Sequence, residues 1–120
     1  MARKQRLPPT PEAEVLRQCL QLLQVLRVPA WRANTGAMTA TASTGRRRFV
    51  RFGVPGQPDI LGLLPPAGRL LAVETKQKGR KPTAAQAAFL ANVEAAGGLA
   101  LVVRDVEELR RALAAAGVGC

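Results

Sequence analysis

The sequence predicts an α/β fold in which a mixed β-sheet carries helices on both faces. Two short apolar runs, at 60–64 and 70–73, flank the turn-forming sequence Pro-Pro-Ala-Gly at 65–68, and this pattern indicates an antiparallel hairpin. A helical segment at 83–97 and a continuous apolar run at 99–103 follow the hairpin, which is typical of a crossover to a parallel strand. A hairpin that continues into such a crossover forms a mixed sheet covered by helices.

The other segments complete the order of elements. We expect a first helix over about 10–27, a short extended segment at 28–31, and a mobile loop at 37–45, where small and hydroxyl side chains show no periodicity. A basic strand at 46–52 precedes the hairpin, and a last helix at 105–115 opens with the capping-box pattern Asp-Val-Glu-Glu. The predicted order is helix, short strand, three strands, helix, strand and helix.

Length and charge limit the domain organisation and the partners. A chain of 120 residues forms one domain, and we expect it over 11–116, after a flexible basic arm at 1–10. The net charge of +10, from 18 Lys and Arg against 8 Asp and Glu, favours a polyanionic partner. No apolar run approaches the roughly 18 residues of a membrane span, and the N-terminus lacks the apolar core of a signal peptide. We therefore expect a cytoplasmic protein that does not bind membranes.

Several kinds of chemistry are excluded by residues that the sequence lacks. There is no His and no Tyr, which removes Ser-His-Asp and Cys-His catalysis and tyrosine nucleophiles. Two cysteines are too few for a zinc site, and Cys19 fits a packed thiol on the first helix. No Walker motif is present, so we expect no nucleotide cofactor. Carboxylates, lysines, arginines and a metal ion remain for catalysis.

Two carboxylates and a lysine are expected to meet at one edge of the sheet. Side chains alternate along a strand, so Glu74 and Lys76 share a face, and the hairpin brings Asp59 beside Glu74. Neighbouring carboxylates repel each other unless a cation lies between them, and Mg²⁺ takes one or two carboxylates together with water. The alternative is a surface ion pair between Glu74 and Lys76 with an unrelated turn aspartate.

An acidic residue of the first helix is a further candidate. The helix begins at Thr10 or Pro11, and Glu12 lies one turn before the apolar stripe, whereas Glu14 lies on the polar side. We therefore favour Glu12 over Glu14 as a residue that reaches the carboxylates; the alternative is a solvated acid that compensates the helix dipole. The apolar stripe consists of Leu16, Cys19, Leu20, Leu23 and Leu26.

These residues carry a resemblance to a known family. The sequence Gly-Gln-Pro-Asp at 56–59, Glu-Thr-Lys at 74–76 and the downstream Gln86 resemble the VRR-NUC (virus-type replication-repair nuclease) type of the PD-(D/E)XK nuclease superfamily. The similarity covers about 12–113. It implies the αβββαβ core of the restriction-endonuclease-like fold, here with an added C-terminal helix.

The resemblance implies a Mg²⁺-dependent (or Mn²⁺-dependent) deoxyribonuclease that hydrolyses phosphodiester bonds. Asp59 and Glu74 would bind the metal together with the backbone carbonyl of Thr75, and Glu12 is a further candidate ligand. Lys76 would orient or deprotonate the attacking water or neutralise developing charge. Two interpretations of Gln86 remain open. It contributes to the active site, or it has a purely structural role in a capping box with Thr83. The implied catalytic residues are Glu12, Asp59, Glu74, Lys76 and Gln86.

Basic residues near these positions are candidate DNA contacts. Four arginines fall within the strand at 46–52, and arginine forks match phosphate oxygens, although a solvated edge strand is the alternative. The sequence Arg-Ala-Asn-Thr-Gly at 32–36 resembles a stretch found at this point in similar proteins, with a polar turn as the alternative. The candidate DNA contacts are Arg32, Asn34, Arg46, Arg47, Arg48, Arg51, Lys78, Arg80 and Lys81.

The resemblance also indicates the substrate. Stand-alone members of the family resemble Holliday-junction resolvases, so we expect a bacterial or phage-encoded homodimer that acts on branched DNA, since cutting two strands requires two sites. A nicking or flap endonuclease is the close alternative. A non-catalytic basic DNA-binding protein is the alternative from another class.

Overall fold

The computed structural model describes residues 10–33, 36–41 and 44–119, with the backbone alone at 36–41 and 48–52. Of the arm expected at 1–10, only Thr10 lies within the described residues. The elements of the described chain follow in the order α1 (Glu12–Val25), β1 (Ala30–Arg32), β2 (Gly36–Thr41), β3 (Arg47–Phe52), β4 (Ile60–Leu64), β5 (Arg69–Thr75), α2 (Ala84–Ala95), β6 (Leu99–Val103) and α3 (Val106–Ala115).

Four of the strands form a mixed sheet in the order β1-β4-β5-β6. Strand β1 pairs antiparallel with β4, and β4 pairs antiparallel with β5. Strand β6 then lies parallel to β5 after the crossover through α2. The sheet confirms the α/β fold class that the hairpin and the following crossover predict.

The helices cover the two faces of this sheet as expected. Helices α1 and α3 pack on one face, against Leu71 and Val73 of β5. Helix α2 packs on the other face, where Leu90 and Val93 contact Ala72. Because successive strand residues point to opposite faces, β5 is buried on both sides from position 71 onward. The core against α1 and α3 consists of Val15, Leu16, Cys19, Leu23, Val28, Ile60, Leu64, Leu71, Val73, Val103, Leu109 and Leu113.

Side-chain caps fix the starts of the last two helices, although in different ways. Thr83 and Gln86 form the predicted reciprocal capping box of α2. At α3, Asp105 accepts from the Glu108 backbone N–H at 2.8 Å, as a capping box requires. The Glu108 side chain, however, accepts from the backbone N–H of Arg104 at 3.2 Å instead of returning to Asp105. The capping box expected for α3 is therefore wrong in its second half, because the Glu108 carboxylate bonds to the Arg104 amide at the bend between β6 and α3.

Residues 37–41, the first part of the mobile loop expected at 37–45, are not a loop, and residues 42 and 43 lie outside the described part of the chain. Residues 36–41 form β2, which pairs antiparallel with β3 from Gly36 opposite Phe52 to Thr41 opposite Arg47. Strand pairing needs backbone hydrogen bonds but not an apolar alternation, so the missing periodicity did not exclude a strand. The predicted strand at 46–52 is present as β3; β2 and β3 form a separate two-stranded sheet.

Two further expectations can be compared with the structure. Cys19 is fully buried, and burial raises the pKa of its thiol to about 11, with a smaller contribution from Asp105. This agrees with a packed thiol. Within the described ranges, no helix has the length and apolar character needed to cross a membrane.

Candidate active site

The register of the hairpin places Asp59 at the edge of the sheet beside the end of β5. Ile60 pairs with Val73, so Asp59 lies opposite Glu74. Asp59 Oδ2 accepts two hydrogen bonds from Thr75, at 2.8 Å from the backbone N–H and at 2.7 Å from Oγ1. These two bonds fix the orientation of the Asp59 carboxylate.

Glu74 is a buried carboxylate with an unsatisfied oxygen. The residue is only 2% exposed, and no described residue forms a hydrogen bond with its Oε2. Burial raises the pKa of Glu74 to about 8, and the adjacent Asp59 carboxyl raises it as well. The Lys76 ammonium lies 4.0 Å from Glu74 Oε1 and partly offsets this rise. Burying a carboxyl oxygen without a hydrogen-bond partner costs folding free energy, and the same oxygen is well suited to bind a cation.

The two glutamates of the first helical turn point in different directions. Glu12 Oε1 accepts from the backbone N–H of Gln77 at 3.3 Å, immediately after Lys76. Glu14 instead pairs with Arg17 at 2.5 Å on the outer side of α1. The position of Glu12 is the one expected from the helix face.

Gln86 combines a structural role with a position at the site. Its Oε1 accepts from the Thr83 backbone N–H at 2.9 Å, and its own backbone N–H donates to Thr83 Oγ1 at 3.2 Å. The same side chain lines the cavity that the carboxylates share. Both interpretations of Gln86 therefore have a structural basis.

All five predicted catalytic residues lie around one cavity of about 310 Å³. It opens where the start of α1, the start of β4, the end of β5 and the start of α2 meet. Arg32 of β1 also lines it and adds a guanidinium to the rim. The cavity is lined by Glu12, Ala13, Leu16, Arg32, Asp59, Glu74, Thr75, Lys76 and Gln86.

The other candidate DNA contacts are placed only in part. Asn34 and the side chains of Arg48 and Arg51 lie outside the described part of the structure. The remaining basic candidates are exposed at Arg46, Arg47, Lys78, Arg80 and Lys81.

One residue near the site was missed by the sequence analysis. Arg104 follows β6, and its Nη2 donates to the backbone carbonyl of Arg80 at 2.9 Å. The parallel strand expected after the crossover could have revealed Arg104. In a parallel pair, the residue that follows β6 must lie beside the chain that leaves β5 at Lys76. Arg104 thus contacts the basic segment that follows the site.

The residues present fit a hard divalent cation. Within 10–33, 36–41 and 44–119, no three acidic, Cys or His side chains stand close enough to form a complete metal site by themselves. Mg²⁺ does not require one, since it keeps several waters and uses one or two carboxylates together with substrate phosphates. The unpaired Glu74 Oε2 beside the oriented Asp59 carboxylate is the oxygen donor set that such an ion prefers.

Comparisons with known proteins support the fold. No protein-family model matches the sequence, and no match is found among curated proteins. A solved structure titled "VRR_NUC domain" is similar, with a TM-score of 0.60 and 20% sequence identity, over 86% of this chain and 94% of that chain. The resemblance read from the residues is therefore matched in three dimensions: the chain has the fold of a VRR_NUC domain, an α/β restriction-endonuclease-like core.

Proposed function

We propose that this protein is a metal-dependent DNA endonuclease that hydrolyses phosphodiester bonds. The observation that carries the proposal is the convergence of three carboxylates, a lysine and a glutamine around one cavity. Within that cavity, the buried Glu74 carboxyl has an unpaired oxygen and a pKa of about 8, which a bound cation would relieve. The net charge of +10 and the similarity in fold to a VRR_NUC domain agree with a nucleic-acid substrate.

Asp59 and Glu74 would hold Mg²⁺ or Mn²⁺, with the Thr75 carbonyl as a further ligand and Glu12 as a candidate for completing the shell of the metal and its waters. When bound, the ion would polarise the scissile phosphate, lower the pKa of a coordinated water and stabilise the leaving oxygen. The protein prepares this site by holding Asp59 Oδ2 with two donors of Thr75. Glu12 and Gln86 are likewise held, by the Gln77 amide and by Thr83.

Lys76 would act on the attacking water and on the charge that develops at the phosphate. Its side chain is 15% exposed, so the ammonium can reach a substrate in the cavity while its strand position stays fixed. The Lys76 backbone N–H donates to the Val103 carbonyl at 3.0 Å, which extends the β5–β6 pairing by one residue. This bond fixes the backbone from which the Lys76 side chain extends, with its ammonium 4.0 Å from Glu74 Oε1.

For the substrate, we propose branched DNA cut by a homodimer that recognises shape and backbone. A site on one short chain cuts one strand, and a two-fold dimer provides two sites. Nicking or flap cleavage by the same site is the second candidate. A basic DNA-binding protein without catalysis would leave Glu74 Oε2 without a role, so the geometry favours the enzyme.

The test is a cleavage assay on labelled duplex, flap and four-way DNA, with Mg²⁺, Mn²⁺ or EDTA, using Lys76→Ala and Asp59→Asn. We expect cutting that requires the metal and is lost in both variants, and the preferred substrate then separates the junction resolvase from the nicking enzyme. Tight binding without cutting of any substrate, unchanged by EDTA or by either substitution, would refute the proposed function.

A further inference from the structure

The chain that leaves the site forms a hydrogen-bonded turn with a lysine at its tip. The Arg80 backbone N–H donates to the Gln77 carbonyl at 3.0 Å, and Gly79 has φ +87°. A hydrogen bond across four residues with a positive φ at the third is the pattern of a type II turn. Lys78 occupies the second position and is exposed. We call residues 77–80 the basic turn.

The basic turn is attached directly to the proposed active site. Its first residue, Gln77, donates its backbone N–H to Glu12, and the preceding Lys76 donates to the Val103 carbonyl. Two residues of extended chain span at most about 7 Å, so Lys78 lies close to Lys76. Successive phosphates of one strand of duplex DNA are about 3.4 Å apart along the helix axis. A strand whose scissile phosphate lies at Lys76 therefore places a neighbouring phosphate within reach of Lys78.

Arg104 holds the far end of the basic turn. Its guanidinium donates to the Arg80 carbonyl at 2.9 Å, and its own backbone is held by Glu108 at the start of α3. Arg104 and Lys78 line the same depression. Its two acids already accept bonds from local backbone amides, Glu108 from Arg104 and Asp105 from Glu108. No ion pair in the described part of the structure involves Lys78.

We propose that Lys78 binds a phosphate next to the scissile one on the same strand, and that Arg104 is the residue that positions it. Arg104 acts through the Arg80 carbonyl, which fixes the turn and therefore the direction of the Lys78 side chain. This inference rests on the proposed function and deepens it by naming a second phosphate contact.

A double-mutant cycle for DNA binding in EDTA tests this without requiring cleavage. Lys78→Ala should weaken binding several-fold and reduce the slope of log K against log salt by about 0.9, the value for one phosphate contact. Arg104→Gln should weaken binding more than Arg111→Gln, which removes an equal charge from α3. The double variant should bind more weakly than Lys78→Ala only by the factor that Arg111→Gln alone produces, because the specific effect of Arg104 acts through Lys78.

Two results would overturn the inference: wild-type affinity in Lys78→Ala, or full additivity of Lys78→Ala and Arg104→Gln. Should Arg104→Gln fail to fold, Gly79→Ala replaces it in the cycle. A Cβ there would meet no atom within 4 Å, so only the turn conformation at φ +87° is disfavoured.

Metal-dependent cutting by the wild type is measured separately. Failure of the nuclease proposal would therefore appear as absent cutting, and failure of this inference as an absent or additive binding effect.

Discussion

Glu74 shows at the scale of one residue how the fold prepares a charged site. The strand that carries it is buried on both faces, and its carboxyl lies beside that of Asp59. The resulting pKa of about 8 means that, without a cation, the folded protein favours a protonated Glu74 at neutral pH. The proposed divalent ion would remove this preference and would give a reason for an acid at a position where it costs stability.

This arrangement predicts how stability without metal depends on pH. The pKa of Glu74 in the folded protein, about 8, is above its ordinary value of 4.5. Between pH 4.5 and pH 8, the folded state therefore keeps a proton that the unfolded state has lost. The free energy of unfolding should therefore fall as pH rises from about 4.5 to about 8. Glu74→Gln should remove this decline and be the more stable protein at pH 8.5 by about 1 kcal/mol or more. Urea unfolding of the wild type and of Glu74→Gln at pH 5 and pH 8.5 in EDTA measures these free energies of unfolding. The same difference between the two proteins at both pH values would contradict the prediction.

The two glutamates of α1 provide a matched pair of substitutions. Glu12 reaches the chain next to Lys76, whereas Glu14 bonds to Arg17 on the outer surface. Glu12→Gln should lower the single-turnover rate of DNA cleavage at least about tenfold, because it removes a charge from the site. Glu14→Gln makes the same change of charge two residues away and should cut at the wild-type rate. Equal cleavage rates for the two variants would show that Glu12 does not contribute to the active site.

At the scale of elements, the hairpin and the crossover create the site. The sequence alone was sufficient for the positions of Asp59 and Glu74, because turn residues and apolar runs define both strands of the hairpin. It also led to Glu12, since helical periodicity separates the two faces of α1. It failed for β2, whose pairing with β3 leaves no apolar pattern, and for Arg104, which is near the site only through the parallel pairing of β5 and β6.

Gly56 joins two of these elements and yields a prediction. A Cβ at this residue would lie 2.3 Å from the backbone oxygen of Ala85, in the first turn of α2. Gly56→Ala should therefore push α2 away from the loop that carries Asp59. Gly68 has the same φ of +77° with no atom within 4 Å, so Gly68→Ala reports the conformational cost alone, about 1 kcal/mol. Urea unfolding should show a larger loss for Gly56→Ala; equal losses would mean that the close approach to α2 is unimportant.

At the scale of the whole molecule, the net charge should act in opposite ways on the proposed DNA binding and on the proposed homodimer. Each copy carries +10, so two copies repel each other at low ionic strength, and salt screens this repulsion. The proposed homodimer should therefore strengthen as salt rises, whereas DNA binding weakens. Sedimentation velocity should show a species of twice 12.7 kDa that increases with salt. A single species of 12.7 kDa at every concentration and salt would contradict the dimer.

The central claim, that the cavity at the end of β5 is a metal-dependent hydrolytic site, is tested most directly by one comparison. Single-turnover cleavage of four-way DNA in Mn²⁺, at saturating protein, is measured for the wild type, Lys76→Ala and Arg111→Ala. Both substitutions remove one positive charge, but only Lys76 lines the cavity, whereas Arg111 is exposed on α3. We predict a loss of about 10² or more for Lys76→Ala, a rate near wild type for Arg111→Ala, and no cleavage in EDTA. Equal rates for all three proteins, or cleavage that persists in EDTA, would contradict the claim.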